Sequence, residues 1–301
     1  MADLAELAGL ETERRRVELA DLDLRPTSEL VRLVLAEQDA VDRALASGAE
    51  ALVRAVDAVS ERMGQGGRLI YLGAGTPGRL AALDAAECPP TFGVSPDRVV
   101  ALLAGGNEVL LGAREDVEDD QSSAAADLVR IGLGPEDSVV GVSASGRTPY
   151  VVHGLVAARS RGALTVSLAC NTHAKISAEA DIAIEVPTGP ELIAGSTRLK
   201  AGTAQKVVLG ALSTLVMVRL GYTYGNLMVD VGATNEKLRY RAERIVVEAT
   251  GATAEQAREA LRAADGRAKT AVVMLLGGLE VEQARARLAG GMSVREALAG
   301  G

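Results

Sequence analysis

The sequence predicts an α/β fold, a three-layer sandwich with a mostly parallel sheet, followed by a small all-helical C-terminal domain. Strand and helix patterns alternate from residue 68 onward, which is typical of parallel strands covered by helices on both faces. Two strand–turn–helix units carry similar turns of small residues, RLIYLGAGTPGRL at 68–80 and SVVGVSASGRTPY at 138–150. Beyond residue 250, short amphipathic stretches separated by glycines predict helices.

Residues 1–60 are predicted to form an N-terminal helical segment that packs on the core. Apolar residues recur at helical spacing through 30–45 and again through 52–63. Pro26 and Thr27 are typical of a helix start, and Gly48 predicts a break between two helices.

Residues 61–248 form the predicted sheet domain. Each predicted strand is a short aliphatic or β-branched run that ends in Gly, Asn, Ser or Pro. These strands are Leu69–Leu72, Val99–Leu103, Val139–Val142, Leu164–Leu168 and Ile182–Val186. Helices fit between them, around residues 78–87, 108–116, 121–131 and 150–161. Ligands of such sheets bind beyond the carboxyl ends of the strands, where both turns of small residues are expected to lie.

The remaining chain is predicted to be helical. A polar loop after Pro190 leads into a nearly all-apolar helix that includes residues 207–218, and residues 236–248 predict another helix. Residues 249–301 form the predicted C-terminal domain, for which packing or dimerisation is the favoured role.

The first turn matches G-x-G-x-x-G through Gly73, Gly75 and Gly78. A dinucleotide site would also need an acidic residue about 20 positions further on, where this chain has Arg98. The second turn supplies hydroxyl groups instead. Small residues and exposed N–H groups at a helix start suit a phosphate, so the pair of turns favours a sugar phosphate. That both are ordinary turns remains the alternative.

Carboxylates accompany the first turn. Glu87 falls in the last turn of the helix that follows, where a negative charge opposes the helix dipole. Glu118 lies in the acidic run 115–120, and crowded carboxylates raise one another's pKa, which suits acid–base chemistry near neutral pH. A solvated acidic turn is the alternative. Arg198, Lys200 and Lys206 are cations that could pair with an anionic substrate or with these carboxylates.

Composition excludes several classes of protein. The net charge is −8 with no basic block beyond residues 14–16, so a nucleic-acid partner is not expected. The two histidines and two cysteines show no metal-ligand spacing. The opening residues do not resemble a signal peptide, and the apolar run 207–218 is shorter than the roughly 20 residues that a bilayer requires. We therefore expect a cytoplasmic protein that does not bind membranes.

Five blocks of sequence closely resemble N-acetylmuramic acid 6-phosphate etherases. They are LGAGTPGRLAALDAAECPPTFG, ALLAGGNEVLL, VGVSASGRTPYVV, ELIAGSTRLKAGTAQK and YGNLMVDVGATNEKL. The similarity runs from about Thr12 to the C-terminus, and the family belongs to the sugar isomerase (SIS) superfamily of phosphosugar-binding α/β sandwiches.

This resemblance implies that the protein cleaves the D-lactyl ether of N-acetylmuramic acid 6-phosphate in peptidoglycan recycling. Lactate is eliminated first, and water then adds to the unsaturated sugar. The resemblance also implies a homodimer that needs no cofactor and no metal. The family's two catalytic glutamates match Glu87 and Glu118. The candidate substrate- and phosphate-binding residues are Gly75, Thr76, Ser143, Ser145, Gly146, Arg147, Thr148, Glu191, Ser196 and Lys200.

The chain departs from the family pattern at Pro77, where the phosphate turn usually reads GTSGR. Proline removes one hydroxyl group and one N–H donor. Two alternatives follow: a non-catalytic regulator that binds phosphosugars, and a lyase or isomerase that acts on a different phosphosugar.

Overall fold

The structure is a computed structural model that describes residues 9–110, 112, 116–232 and 236–300. Contacts among these residues divide the chain into two compact units. The first contains the described residues up to Ala85 together with Asp97–Ser213, and the second contains Ala86–Pro96 together with those from Thr214 onward. The predicted domain limits stay predictions.

The first unit is built on one five-stranded parallel sheet with the strand order β2-β1-β3-β4-β5. The strands are β1 Leu69–Gly73, β2 Val99–Leu103, β3 Ser138–Ser143, β4 Leu164–Ala169 and β5 Ile182–Glu185. All five predicted strands are therefore confirmed, because long aliphatic runs buried on both faces have no helical periodicity to compete with.

Strands β1 and β3 are neighbours, with Gly73 beside Val142. Parallel neighbours end at the same edge of a sheet, so the turns that follow β1 and β3 lie side by side at its carboxyl edge. The expected meeting of the two turns of small residues is confirmed.

Helices cover the sheet and extend from it. They are α1 Thr27–Ala36, α2 Gln38–Gly64, α3 Gly75–Phe92, α4 Ser123–Arg130, α5 Pro149–Arg159, α6 Lys175–Ala178 and α7 Lys200–Arg219. Where a helix was expected around 108–116, the described residues form short 3₁₀ turns at Asn107–Val109 and Asp116–Asp119. Residues 111 and 113–115, including Glu115 of the acidic run, lie outside the described part of the chain.

The expected break at Gly48 is wrong: helix α2 continues through it, and the interruption between the two helices lies about three turns earlier, at Glu37. Gly48 is buried against the segment that ends β5. A β-carbon there would lie 2.8 Å from Val186 Cγ1. This glycine therefore permits close packing, which outweighs its cost of about 1 kcal/mol in a helix interior.

Helix α7 spans 20 residues with a mean hydropathy of 1.4 in its most apolar window, so its length and composition alone would let it cross a membrane. The helix is longer than the apolar run 207–218, whose length was the reason for excluding a membrane span from the sequence. Of that window 56% is buried within the protein, which is typical of a core helix in a globular fold.

The second unit is helical beyond residue 236 and has its own apolar core. Its helices are α8 Glu236–Thr250, α9 Ala254–Ala263, α10 Ala268–Gly277, α11 Val281–Leu288 and α12 Val294–Ala299. Val246, Ala257 and Val272 lie fully buried where these helices meet. Thr253 and Ser293 start α9 and α12 with reciprocal caps to the glutamine or glutamate three residues on. The predicted C-terminal helical region is confirmed.

Candidate active site

A polar cavity of about 310 Å³ opens in the first unit at the carboxyl edge of β1 and β3. Its lining unites six of the candidate site residues predicted from the sequence with residues from two further segments, those of Glu13 and Thr197. The lining residues are Glu13, Ala74, Gly75, Thr76, Pro77, Arg79, Glu118, Ser143, Ala144, Ser145, Thr148 and Thr197. Hydroxyl groups, carboxylates and one guanidinium therefore face a single small space.

Two glycines of the first turn serve close backbone packing. A β-carbon on Gly73 would lie 2.9 Å from Gly78 Cα, and one on Gly78 would lie 2.9 Å from Gly73 O. The end of β1 thus touches the first turn of α3 directly. This contact explains the first and third glycines of G-x-G-x-x-G without any nucleotide.

The middle glycine makes room for the carboxylate of Glu118. Gly75 has φ +55°, and a β-carbon there would lie 2.7 Å from Glu118 Oε1. Glu118 is half-buried in the 3₁₀ turn Asp116–Asp119 and reaches the start of α3 across the cavity. A carboxylate that faces the cavity can take up a proton from a bound ligand, so this residue is placed to act as a base.

The second turn orders its hydroxyl groups through the backbone. Gly146 N–H donates to Ser143 Oγ at 3.0 Å, and Arg147 N–H donates to Ser145 Oγ at 3.2 Å. Ser143 Oγ also lies 2.8 Å from Thr148 Oγ1. If Ser143 donates to Thr148, the hydroxyl protons of Ser145 and Thr148 are left to point at a ligand. The start of α5 at Pro149 adds its positive dipole end, so an anion fits here.

Three cavity residues were not foreseen: Glu13, Arg79 and Thr197. Arg79 donates to the carbonyl oxygens of Val109, Leu110 and Gly112 at 3.1, 3.2 and 2.7 Å. It thereby ties α3 to the segment that precedes Glu118. Only its place one residue after the last glycine of the turn hinted at this role. Glu13 and Thr197 come from distant segments, which no local pattern could have joined to the cavity.

Glu87 lies in α3, in the part of that helix that belongs to the second unit, and its side chain is exposed. The prediction that it falls in the last turn of the helix is wrong, because α3 continues through Pro89 and Pro90 to Phe92. Its catalytic role stays a prediction.

Gly146 and Arg147 lie in the second turn but do not line the cavity, and Ser196 is half-buried beside Thr197. Gly146 has φ +73°, and a β-carbon there would lie 2.4 Å from Ala174 Cβ, so this position requires glycine. Its N–H contributes indirectly, through Ser143. The binding roles of these residues remain predictions.

Glu191 and Lys200 lie in a separate cluster of paired charges. The buried Glu191 carboxylate accepts hydrogen bonds from Lys200 N–H at 3.2 Å and Ala201 N–H at 2.9 Å, at the start of α7. Burial raises the pKa of Glu191, although these two donors oppose the shift. Lys200 Nζ lies 2.6 Å from Glu37 Oε2, and Arg16 Nη1 lies 2.5 Å from Glu37 Oε1. These contacts favour a structural role for Glu191 and Lys200.

Glu37 joins the N-terminal segment to α7 through those two cations. Burial raises its pKa, but the hydrogen bonds from Lys200 and Arg16 outweigh burial and hold the pKa below its usual range. Among the described residues, no group of three or more His, Cys, Asp or Glu side chains is arranged to hold a metal ion.

Comparisons with known proteins agree with this fold. The family described as the glucokinase regulatory protein N-terminal SIS domain matches residues 51–159, and the SIS domain family matches residues 120–215. The chain is also similar in fold to a phosphoheptose isomerase from Francisella tularensis. That structure has a TM-score of 0.50 at 13% identity and covers 64% of this chain and 98% of its own.

Full-length relatives are closer. An N-acetylmuramic acid 6-phosphate etherase of Rubrobacter xylanophilus is 56% identical over 295 residues, covering 98% of both chains. Proteins of the same name from Streptomyces avermitilis and Mycolicibacterium smegmatis are 55% and 54% identical. The alignments cover 92% and 98% of this chain, and 89% and 100% of theirs.

Proposed function

Since the chain belongs to the N-acetylmuramic acid 6-phosphate etherase family, we propose that its polar cavity is the site where the lactyl ether of that sugar is cleaved. The protein is an etherase, a carbon–oxygen lyase. It consumes water and releases N-acetylglucosamine 6-phosphate and D-lactate, a step of peptidoglycan recycling and amino-sugar metabolism. The observation that carries the proposal for the cavity is the meeting of Glu118 with an ordered group of hydroxyls.

The reaction needs a base and an acid because an alkyl ether has a poor leaving group. In the opened sugar, the ether oxygen on C3 is β to the C1 aldehyde. Removal of the C2 proton gives a carbanion that is delocalised into the carbonyl group. The C3–O bond then breaks, and the lactyl oxygen takes up a proton as lactate leaves. Water adds to C3 of the unsaturated aldehyde and C2 regains a proton, which balances the reaction.

We assign the C2 proton transfer and the activation of water to Glu118. Its carboxylate lies at the cavity beside the start of α3, with room provided by Gly75. We assign the protonation of the departing lactyl oxygen to Glu87. Each such group typically contributes about 10²- to 10⁴-fold in rate.

The 6-phosphate is assigned to the second turn, with Thr76 of the first turn beside it. Ser145 Oγ accepts a hydrogen bond from Arg147 N–H, and Thr148 Oγ1 lies 2.8 Å from Ser143 Oγ, so both hydroxyl groups are held in place at the cavity. The start of α5 adds a favourable electrostatic field for an anion. Phosphate held here leaves the carbon chain of the sugar to extend toward Glu118.

The test measures D-lactate and N-acetylglucosamine 6-phosphate after incubation with N-acetylmuramic acid 6-phosphate. Glu118→Gln and Glu87→Gln are each expected to lower kcat at least 10²-fold, because each keeps its shape and loses its proton-transfer group. Exchange of the C2 proton with deuterated water is expected to be lost in Glu118→Gln and retained in Glu87→Gln.

Matched controls are Asp119→Asn, an exposed carboxylate next to Glu118, and Glu61→Gln, an exposed glutamate of α2. Both are expected to keep the wild-type rate within twofold. Lactate release that survives both catalytic substitutions would refute these assignments. Binding of the substrate without turnover in the wild-type protein would instead favour the phosphosugar-binding regulator.

A cytoplasmic homodimer is the proposed form of the enzyme. Helix α1 has no buried residue, and its apolar side chains Val31, Val34 and Leu35 are 50–69% exposed in the single chain. A second copy would remove such a surface from water. Sedimentation equilibrium of Leu35→Asp against the wild type tests this: a monomeric wild type would refute it.

A further inference from the structure

Glu13 gives the cavity a carboxylate that neither the proton transfers nor the phosphate grip uses. It ends the short 3₁₀ turn Glu11–Glu13 at the beginning of the described chain. Exposed terminal residues are commonly loosely held. A carboxylate at that location lines an active site only if its segment is fixed in place.

The segment is fixed by the residue before it. Thr12 is fully buried, and its hydroxyl accepts a hydrogen bond from Asn171 Nδ2 at 2.9 Å. The same amide nitrogen donates to Ala144 O at 3.1 Å, and Ala144 lies between the two serines of the second turn. Thr12 N–H in turn faces Asn171 Oδ1 at 3.4 Å. One buried asparagine thus joins the N-terminal segment to the cavity wall.

A second segment approaches the carboxylate of Glu13 itself. Gly195 has φ +74°, and a β-carbon there would lie 3.0 Å from Glu13 Oε2. The turn before Thr197 therefore approaches the carboxylate closely. Two separate segments thus contact this part of the chain, one through Thr12 and one at the Glu13 carboxylate itself.

A carboxylate repels the phosphate and lactyl carboxylate of the substrate and attracts neutral hydrogen-bond donors. The sugar offers such donors in its hydroxyl groups and in the N–H of its acetamido group. We propose that Glu13 is a substrate-binding residue that accepts a hydrogen bond from a neutral donor of the amino sugar. Thr12 and Asn171 are the positioning residues that hold it there. This inference deepens the proposed function and rests on it for the identity of the sugar.

The test compares the affinities of variants for N-acetylglucosamine 6-phosphate by calorimetry, which does not depend on turnover. Glu13→Gln is expected to weaken binding about 10- to 100-fold, the usual value of a hydrogen bond to a charged group. Glu11→Gln is the matched control: it is exposed, lies in the same turn and is absent from the cavity lining, so it is expected to change binding less than twofold. Thr12→Val, which removes the anchoring hydroxyl, is expected to weaken binding by a smaller factor than Glu13→Gln.

A second ligand identifies the donor. With 2-deoxyglucose 6-phosphate, the effect of Glu13→Gln is expected to disappear if the donor is the group on C2 and to persist if it is another hydroxyl. Equal affinities of Glu13→Gln and Glu11→Gln for N-acetylglucosamine 6-phosphate would overturn the inference, as would a wild type that binds neither ligand. A wild type that binds the sugar and releases no lactate would refute the proposed function alone.

Discussion

Two polar clusters of the first unit differ in what their side chains leave available. In the cavity at the end of β1 and β3, backbone N–H groups donate to Ser143 Oγ and Ser145 Oγ, and the hydroxyl proton of Ser145 can be donated to a ligand. In the cluster at the start of α7, the donors that surround Glu191 and Glu37 come from the protein itself. Residues of both clusters, Glu191 and Lys200 in the second, were expected from the sequence to bind substrate.

This difference shows that residue type alone does not tell whether a polar side chain binds a ligand or stabilises the fold. A buried carboxylate that accepts two helix N–H groups stabilises the fold by satisfying them. A hydroxyl that accepts from the backbone and still holds its own proton can bind an anion. The unused donors therefore mark the functional cluster, and substitutions in the two clusters should change different quantities.

The largest effect is expected from Glu191→Ala, which should lower the free energy of unfolding by about 3 kcal/mol. The substitution leaves Lys200 N–H and Ala201 N–H without their acceptor in a buried place. Urea unfolding followed by circular dichroism measures the loss. Affinity for N-acetylglucosamine 6-phosphate, measured on the folded protein, should change less than threefold.

Glu50→Ala is the control, since Glu50 is exposed on α2 and should shift stability by no more than about 0.5 kcal/mol. Unchanged stability of Glu191→Ala together with a tenfold loss of affinity would reverse the comparison. Glu191 would then bind substrate, as the sequence suggested.

How far the sequence alone could predict the molecule follows from how local each signal is. The strands were predictable because each is a contiguous aliphatic run, and the two turns because β1 and β3 each end directly in small residues. Gly48 was misread because the close contact that it permits, with Val186, depends on the tertiary fold. The local sequence shows only a glycine within a helical pattern and does not reveal the distant residue that packs against it.

The residues of the candidate site also differ in how far their positions could be predicted from local sequence. Ser143 ends β3, and Gly75, Ser145 and Thr148 lie within five residues of the ends of β1 and β3, so the sheet places them together. Glu13 is held at the cavity by its neighbour Thr12, which is hydrogen-bonded to Asn171, 159 positions further along the chain. A contact of that separation has no signature in either local sequence, so the carboxylate could be found only from the structure.

An intermediate effect is expected from Ser143→Ala, which removes the hydroxyl that orders the second turn. Gly146 N–H then loses its closer acceptor, and Thr148 loses its partner at 2.8 Å. Affinity for N-acetylglucosamine 6-phosphate should fall about tenfold, equivalent to about 1.4 kcal/mol. Calorimetric titration measures it.

Ser160→Ala provides the control, because that exposed hydroxyl at the end of α5 donates only to the carbonyl of Ala157. It should bind the phosphosugar like the wild type. If Ser143→Ala lowers stability by several kcal/mol and leaves affinity intact, then the second turn is structural, like the cluster at α7.

The smallest effect is expected from Pro77→Ser, which gives the first turn the residue usual in the family. Pro77 lies in the first turn of α3, where a helix does not need the missing N–H, so the proline does not disturb the helix. The variant should lose about 0.4–1 kcal/mol of stability because serine frees the unfolded chain. Its added hydroxyl and N–H should strengthen phosphosugar binding no more than about threefold, since the second turn already supplies the hydroxyl donors.

Pro96→Ser serves as the control for the unfolded-chain effect, because Pro96 is exposed and lies outside the cavity lining. Thermal unfolding of both variants, with titration of the phosphosugar into each, separates stability from binding. A gain in affinity of tenfold or more in Pro77→Ser would mean that the first turn is a phosphate grip equal to the second. The proline would then be the reason why this chain relies on Ser145 and Thr148.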